Sequence, residues 1–438
     1  MAGTFVGGRK VAVEVALRAA LHRELPAAVA LRRELHAVPC VSGEEEPTLR
    51  RVLAALPGSV VEYVAGTGAV VRAGGPGPAV GVRGELDALP IAERTGVPWA
   101  AVNGAMHACG HDVHLAAVVA LARAVADVVS GDVPGTGPGT VAGDAGEAVA
   151  EPVEAAEAAE AGSGVVPLLA VLQPREETFP SGALDVVTSG VLGRHDVRAM
   201  IGAHVQPVLP EGTIACTPGP VNAASDEFRV TVKGGEGHAA YPHLTRDPVL
   251  AMAQVIVAAQ QLVSRVADPM APTVVTFGTV NAGTAPNAVP GEATARGTLR
   301  TMSQEWRRRL HRRFTQVAED TARAYGCNAV VEIIPGEPVL INDPSLAART
   351  GERLREHGWT VNDELRSCGA DDFARYGDVA ASLMMFVGVD TESGLHSPAF
   401  LPGDAAVGAV AEALLAGYLA ASSGTAAIRP CRHRAPGG

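Results

Sequence analysis

The sequence predicts an α/β protein: a catalytic-sized domain with a central, mostly parallel sheet flanked by helices, interrupted by a ferredoxin-like α+β lid domain. Three observations predict it. Short apolar runs alternate with helical patterns up to residue 214 and again after 336. Between them, residues 215–336 read strand, helix, strand, strand, helix, strand, the ferredoxin-like order. The 438 residues, 47% apolar and 19% charged, suffice for two or three domains and exclude wholesale disorder.

The elements follow in order. Residues 11–36 space apolar side chains three or four apart, a helix expected to break at Pro26. Val60–Val64, Ala69–Arg72 and Ala79–Arg83 are β-rich runs punctuated by Gly and Pro. His114–Val129 reads as a buried helix with Asp112 as its N-cap. Residues 130–164 have no usable period and read as a low-complexity surface insertion. Leu168–Gln173 and Ala199–Val205 are buried strands on either side of a helix over 181–190.

In the lid, Asp226–Lys233 alternates as a strand and Pro248–Arg265 is a helix. Thr273–Val280 and Glu292–Arg300 are strands, Ser303–Tyr325 is an amphipathic helix, and Asn328–Ile334 is the last strand. A helix near 345–357, a strand at Ser382–Val389 and a helix at Asp404–Ala420 return to the first pattern. The domain boundaries are therefore 10–214 and 337–422 for the main domain, 215–336 for the lid and 423–438 for a loose tail.

Composition excludes several function classes. The formal charge is −12, with 35 basic against 47 acidic residues. The insertion carries seven acids and no Lys or Arg, the tail three Arg and no acid, so the remainder holds −8. That balance argues against a nucleic-acid partner; the cluster Arg307–Arg309 with Arg312 and Arg313 reads as a solvated helix face. Six cysteines without regular spacing or a CxxC pair make no disulfide framework. The N-terminus has no secretory apolar core, and no uncharged apolar run approaches the ~20 residues of a membrane span. The expectation is a cytoplasmic protein with reduced thiols and no membrane partner.

Chemistry concentrates after the strands of the main domain. In Met106-His107-Ala108-Cys109-Gly110-His111-Asp112-Val113-His114, a thiol and an imidazole flank one flexible Gly and can reach a metal from one turn. Glu176 and Glu177 follow the strand Leu168–Gln173; one can bind metal while the other acts as a general base. His204 lies in an apolar strand and His396 follows another. Cys109, His111, Glu177, His204 and His396 are too many ligands for one tetrahedral ion and suit two ions sharing a bridge. Zinc or manganese comes first for these donors, with cobalt or nickel as alternatives. Asp87, after the strand Ala79–Arg83, is placed to orient a ligand His, and Asp112, His107 and His114 flank the same turn.

These motifs resemble one family of dinuclear metallo-amidohydrolases, the hippurate hydrolases, N-acyl-amino-acid amidohydrolases and auxin-conjugate hydrolases. The resemblance rests on Arg83–Pro90, MHACGHDVH at 106–114, QPREE at 173–177 and GAHV at 202–205. LRRELHAVP at 31–39, GHAAYPH at 237–243, GTAPNAVP at 283–290 and LHSP at 395–398 extend it over most of residues 30–420. It implies two divalent ions per subunit held by Cys109, His111, Glu177, His204 and His396, with Glu176 as the general base. It implies that His238, from the lid of a partner subunit in a homodimer, stabilises the oxyanion, and that Asn287 approaches the substrate. The implied activity is amide hydrolysis of a small N-acyl amino acid by a metal-activated water.

The chain departs from the family at Glu85, where Asp is usual, at Thr178-Phe179-Pro180, where small residues follow the glutamates, and at Asp371, one methylene shorter than the usual Glu. These changes bear on substrate preference more than on catalysis. Three rival readings stand beside the favoured one: a dinuclear dipeptidase or carboxypeptidase, a non-catalytic metal-binding relative, and a thiol hydrolase built on Cys109. The second would be marked by loss of Glu176 or of a ligand, and none is lost.

Overall fold

The computed structural model describes residues 2–56, 60–131 and 164–423. Nearly all of the segment read as an insertion, and the tail beyond residue 423, lie outside them. Two compact units divide the chain: Met1–Pro218 with Asn342–Leu365 and Tyr376–Gly438, and Gly219–Ile341 with Arg366–Arg375.

The first unit is built on an eight-stranded sheet. Its strands run in the order Val60–Val64, Gly68–Ala73, Leu168–Gln173, Ala79–Glu85, Val197–Gln206, Ala381–Gly388, Thr213–Ala215, Thr360–Asn362. The four central strands, from Leu168–Gln173 to Ala381–Gly388, pair in parallel. Both faces are covered, so Ala79–Glu85 and Leu168–Gln173 are buried at every position, and Leu168–Leu172 reads as a continuous apolar run. The helices His111–Ser130 and Ala405–Ser422 pack into this core and are apolar nearly all round for that reason.

That burial accounts for the apolar composition of both helices. Among the described residues, three helices, His111–Ser130, Pro248–Val266 and Ala405–Ser422, are long and apolar enough by composition to cross a membrane. The first and last carry the core of the first unit.

Two expectations fail in this unit. The N-terminal helix runs unbroken over Ala2–Ala37, through Pro26. Proline removes one N–H and crowds the preceding turn, but Leu17 and Leu21 before it and Leu31 and Leu35 after it are all buried in one core. Asp112 is not an N-cap: the helix begins at His111 after Gly110, and no side chain caps it.

The second unit is a four-stranded antiparallel sheet in the order Thr273–Ala282, Glu292–Thr301, Ala224–Lys233, Asn328–Pro335. Helices Pro248–Ala259 and Gln304–Ala324 pack against it around Phe228, Val255, Leu310 and Phe314. Asp247 and Ser303 cap their N-termini, accepting from Val249 N at 2.8 Å and Trp306 N at 3.1 Å. Arg307 is not on a solvated face. It is buried, and its Nε donates to Asp226 Oδ2 at 2.9 Å.

Candidate metal centre

Parallel pairing brings the carboxyl ends of the central strands together, where open α/β sheets bind ligands. Register places Glu85 beside Gln173 and His204 beside Phe386. Asp87 follows the first of these strands and Glu176 and Glu177 the second. The turn 106–110 then enters the helix that starts at His111.

Gly110 makes that turn with φ +83°, and a Cβ there would meet Val205 Cγ2 at 2.4 Å. Only glycine fits both demands. The loop carrying His396 is tied to the same turn, its N–H donating to Ala108 O at 2.9 Å.

The candidate ligands meet. One ligand atom each from Cys109, His111 and Glu177 lies within 4.8 Å of the others. Cys109 Sγ is 3.3 Å from His204 Nε2, and Glu177 Oε1 is 3.3 Å from His396 Nε2. Glu176 stands at the edge of this group, its Oε2 3.8 Å from His111 Nε2.

Two of the imidazoles are oriented from behind. His111 Nδ1 donates to the backbone carbonyl of Asp87 at 2.9 Å, which leaves Nε2 facing the glutamates. His204 Nδ1 donates to Val205 O at 2.7 Å, which leaves Nε2 facing Cys109. The Asp87 carboxylate also faces the His111 imidazole, its Oδ1 3.7 Å from His111 Nδ1. Its Oδ2 accepts from Glu177 N at 3.0 Å and from Ser42 Oγ at 2.7 Å.

The electrostatics are those of a cation site. Burial drives the Cys109 thiol well above its ordinary pKa, and the Glu177 and Glu176 carboxylates push it further. Burial would lower His111, but Glu85, Asp87 and Glu177 outweigh it and raise it. His111 Nε2 is buried and makes no hydrogen bond. A soft thiol, imidazole nitrogens and carboxylates converging on a buried, acid-rich point fit divalent metal ions. They do not fit a nucleophilic thiol, which needs a cationic surround to lower its pKa.

Chain comparisons agree. Residues 81–147 match the model of peptidase family M20/M25/M40, and residues 223–326 match a peptidase dimerisation domain. An N-acetyl-L-cysteine deacetylase of Bacillus subtilis is 32% identical over 385 residues, 86% of this chain and 84% of its own. An N-acetyldiaminopimelate deacetylase of Geobacillus thermodenitrificans is 30% identical, over 86% and 93% of the two chains. This chain belongs to the M20 family. A solved Bacillus subtilis structure, described as a dinuclear metal binding peptidase of that family, superposes with a TM-score of 0.73 at 27% identity, covering 91% and 98% of the two chains. The M20 protein described here is thus a metal-dependent amidohydrolase.

The remaining predicted residues have local partners of their own. His238 and Asn287 belong to the second unit, where Ala239 N donates to Asn287 O at 3.1 Å and His238 pairs with Ala288. Asp112 accepts from Arg32 Nε at 2.9 Å and from His36 Nδ1 at 2.9 Å. Burial opposes its ionisation, but Arg32 and His36 hold it far below the usual carboxylate range. His107 is fully buried, which lowers its pKa to about 3, so it is neutral. Phe179 is largely exposed.

Sequence reasoning missed a buried pair beneath the ligands. His114 Nδ1 donates to Glu85 Oε2 at 3.2 Å, and its Nε2 accepts from Val205 N at 3.0 Å. Glu85 also pairs with Arg83. Burial raises Glu85, but Arg83 and His114 override it and hold it well below its ordinary pKa. The i, i+3 spacing of His111 and His114 on one helix face was the available signal.

Proposed function

We propose that this M20 enzyme cleaves the amide bond of N-acyl amino acids, with two divalent ions per subunit, zinc or manganese. The observation that carries it is the meeting of the Cys109, His111 and Glu177 ligand atoms within 4.8 Å, with Glu176 beside them. The deacetylase relatives support the substrate class, since both are named for removing an acetyl group from an amino acid's nitrogen.

Cys109, His111, Glu177, His204 and His396 would hold the ions. When bound, the ions supply a water of lowered pKa and a Lewis acid for the carbonyl oxygen. Glu176 takes the proton of the attacking water and returns it to the leaving amine. His238 donates to the oxyanion as the carbonyl becomes tetrahedral. Asn287 contacts the substrate, while Asp87 and Asp112 fix the groups behind the ligands.

His238 acts from the lid of a second subunit in a homodimer. The match of residues 223–326 to a dimerisation domain supports this, as does the lid helix that exposes Val249, Leu250 and Val257. In domain terms, residues 10–214 and 337–422 are catalytic and 215–336 form the lid and dimer contact. The expected cellular setting is the cytoplasm.

Apo protein reconstituted separately with zinc, manganese, cobalt and nickel, and offered a panel of N-acyl amino acids and dipeptides, tests the reading. Hydrolysis of the acyl amino acids is expected with zinc or manganese. Preference for dipeptides would overturn the substrate class.

A further inference from the structure

The turn that carries Glu176 and Glu177 is held at a strained residue. Arg175, immediately before them, has φ +50°, a left-handed conformation that L side chains avoid. Such a conformation persists only where the surroundings over-determine it.

The contacts of Arg175 over-determine it here. Arg175 N donates to Glu45 Oε1 at 2.9 Å. Arg175 O accepts from Gly182 N at 3.0 Å, and the Arg175 guanidinium pairs with Asp185. Glu45 is fully buried and comes from a distant loop, 130 residues earlier in the chain. Its carboxylate also accepts from Gly43 N at 2.8 Å and from Thr67 Oγ1 at 2.5 Å, so Glu45 is itself fixed by two anchors.

On the far side of Glu176, Glu177 N donates to Asp87 Oδ2, which is braced by Ser42. The backbone is therefore pinned to buried carboxylates one residue before and one residue after Glu176. Both carboxylates are supported by the loop 42–45, Asp87 through Ser42 and Glu45 directly.

We propose that Glu45 is a positioning residue for the reaction, holding the left-handed Arg175 backbone so that Glu176 and Glu177 are presented together to the metal centre. This rests on the amidohydrolase reading above. The Glu45 carboxylate bonds to Gly43, Thr67 and Arg175, none of them a metal ligand; it acts through the Arg175 N–H. A charge on it is not what matters, because the bond needs only an oxygen acceptor. A Gln in its place keeps that oxygen, and the Thr67 hydroxyl can turn to accept from the new amide.

The test uses full-length protein, wild type and Glu45→Ala, Glu45→Gln and Glu45→Asp, beside Glu176→Ala. Two quantities are read on folded protein: zinc affinity by titration calorimetry, and kcat and KM on N-acetyl amino acids at saturating zinc. Glu45→Ala is expected to weaken zinc binding about tenfold, through Glu177, and to lower kcat about 10- to 100-fold with KM within about twofold. Glu45→Gln is expected to recover both to within about threefold. Glu45→Asp, one methylene short of the Arg175 N–H, follows Ala and replaces it if the Ala variant does not fold.

A merely structural Glu45 lowers the melting temperature and leaves zinc affinity and kcat of the folded protein alone; that result overturns the proposal, as does a Gln variant as damaged as Ala. Turnover that depends on Glu176 but not on Glu45 overturns the positioning role and leaves the amidohydrolase reading intact. A wild type that hydrolyses nothing overturns that reading, and zinc affinity alone then decides for or against Glu45.

Discussion

His111 Nε2 faces Glu177 Oε1 across 4.0 Å and makes no hydrogen bond, while its other ring nitrogen is committed to the Asp87 carbonyl at 2.9 Å. A lone pair aimed into a group of carboxylates is directed at a cation. Glu177→Ala and Cys109→Ser are therefore expected to lose at least one ion per subunit and to bind metal more than tenfold more weakly. Elemental analysis of the purified variants, with circular dichroism as the folding control, checks this.

Chelation and alkylation separate the metal reading from the thiol reading. Burial and the Glu177 and Glu176 carboxylates keep Cys109 protonated unless a cation is present. A chelator is expected to abolish activity and added metal to restore it. Iodoacetamide is expected to leave the metal-loaded enzyme active over the same period. Survival of activity through full metal removal would sink the metal assignment.

Gly110 couples the Cys109 turn to the His204 strand. Gly110→Ala puts a Cβ at φ +83° and within 2.4 Å of Val205 Cγ2, next to His204. Loss of about 1–3 kcal/mol of stability is expected, with weakened metal binding. Denaturant unfolding and a metal titration read the two effects; unchanged metal affinity would separate Val205 from the centre.

What the sequence made legible was local. Cys109, Gly110 and His111 are adjacent, and Glu176 with Glu177 sits on one turn, so spacing alone marks them. The strands were legible where burial on both faces gives unbroken apolar runs, as in Leu168–Gln173. Thr213–Ala215 and Thr360–Asn362, at three residues each, carry no period to read. Glu45, Arg32 and Glu85 act across 130, 80 and 29 residues of chain, and nothing in their neighbours signals such partners. Asp112 was misread because Asp near a helix start usually caps it. Here the turn ends on left-handed Gly110, and Asp112 points inward to Arg32 and His36 instead. Arg307 was misread because its neighbours in the arginine cluster are exposed while the helix turns it toward Asp226.

The Asp226 site gives the second unit a pH signature. Burial raises the Asp226 pKa, but the His311 hydrogen bond at 2.6 Å and the Arg307 pair outweigh it and bring it to about 2. A carboxylate depressed in the folded state stabilises it above the unfolded pKa of ~4, and that contribution fades as pH falls through 4 toward 2. It amounts to about 2 kcal/mol. Asp226→Asn is expected to lower stability at pH 7 and to flatten the acid limb between pH ~4 and ~2. Unfolding midpoints across that range check the sign; an acid limb unchanged in the variant would contradict it.

The most direct test of the account is turnover by metal-loaded Glu176→Ala on an N-acetyl amino acid that the wild type hydrolyses, with metal content measured on the same samples. Wild-type metal occupancy is expected with kcat reduced by about 10²- to 10⁴-fold, since Glu176 moves the proton and Glu177 and its companions hold the ions. Near-normal turnover at full occupancy would contradict it.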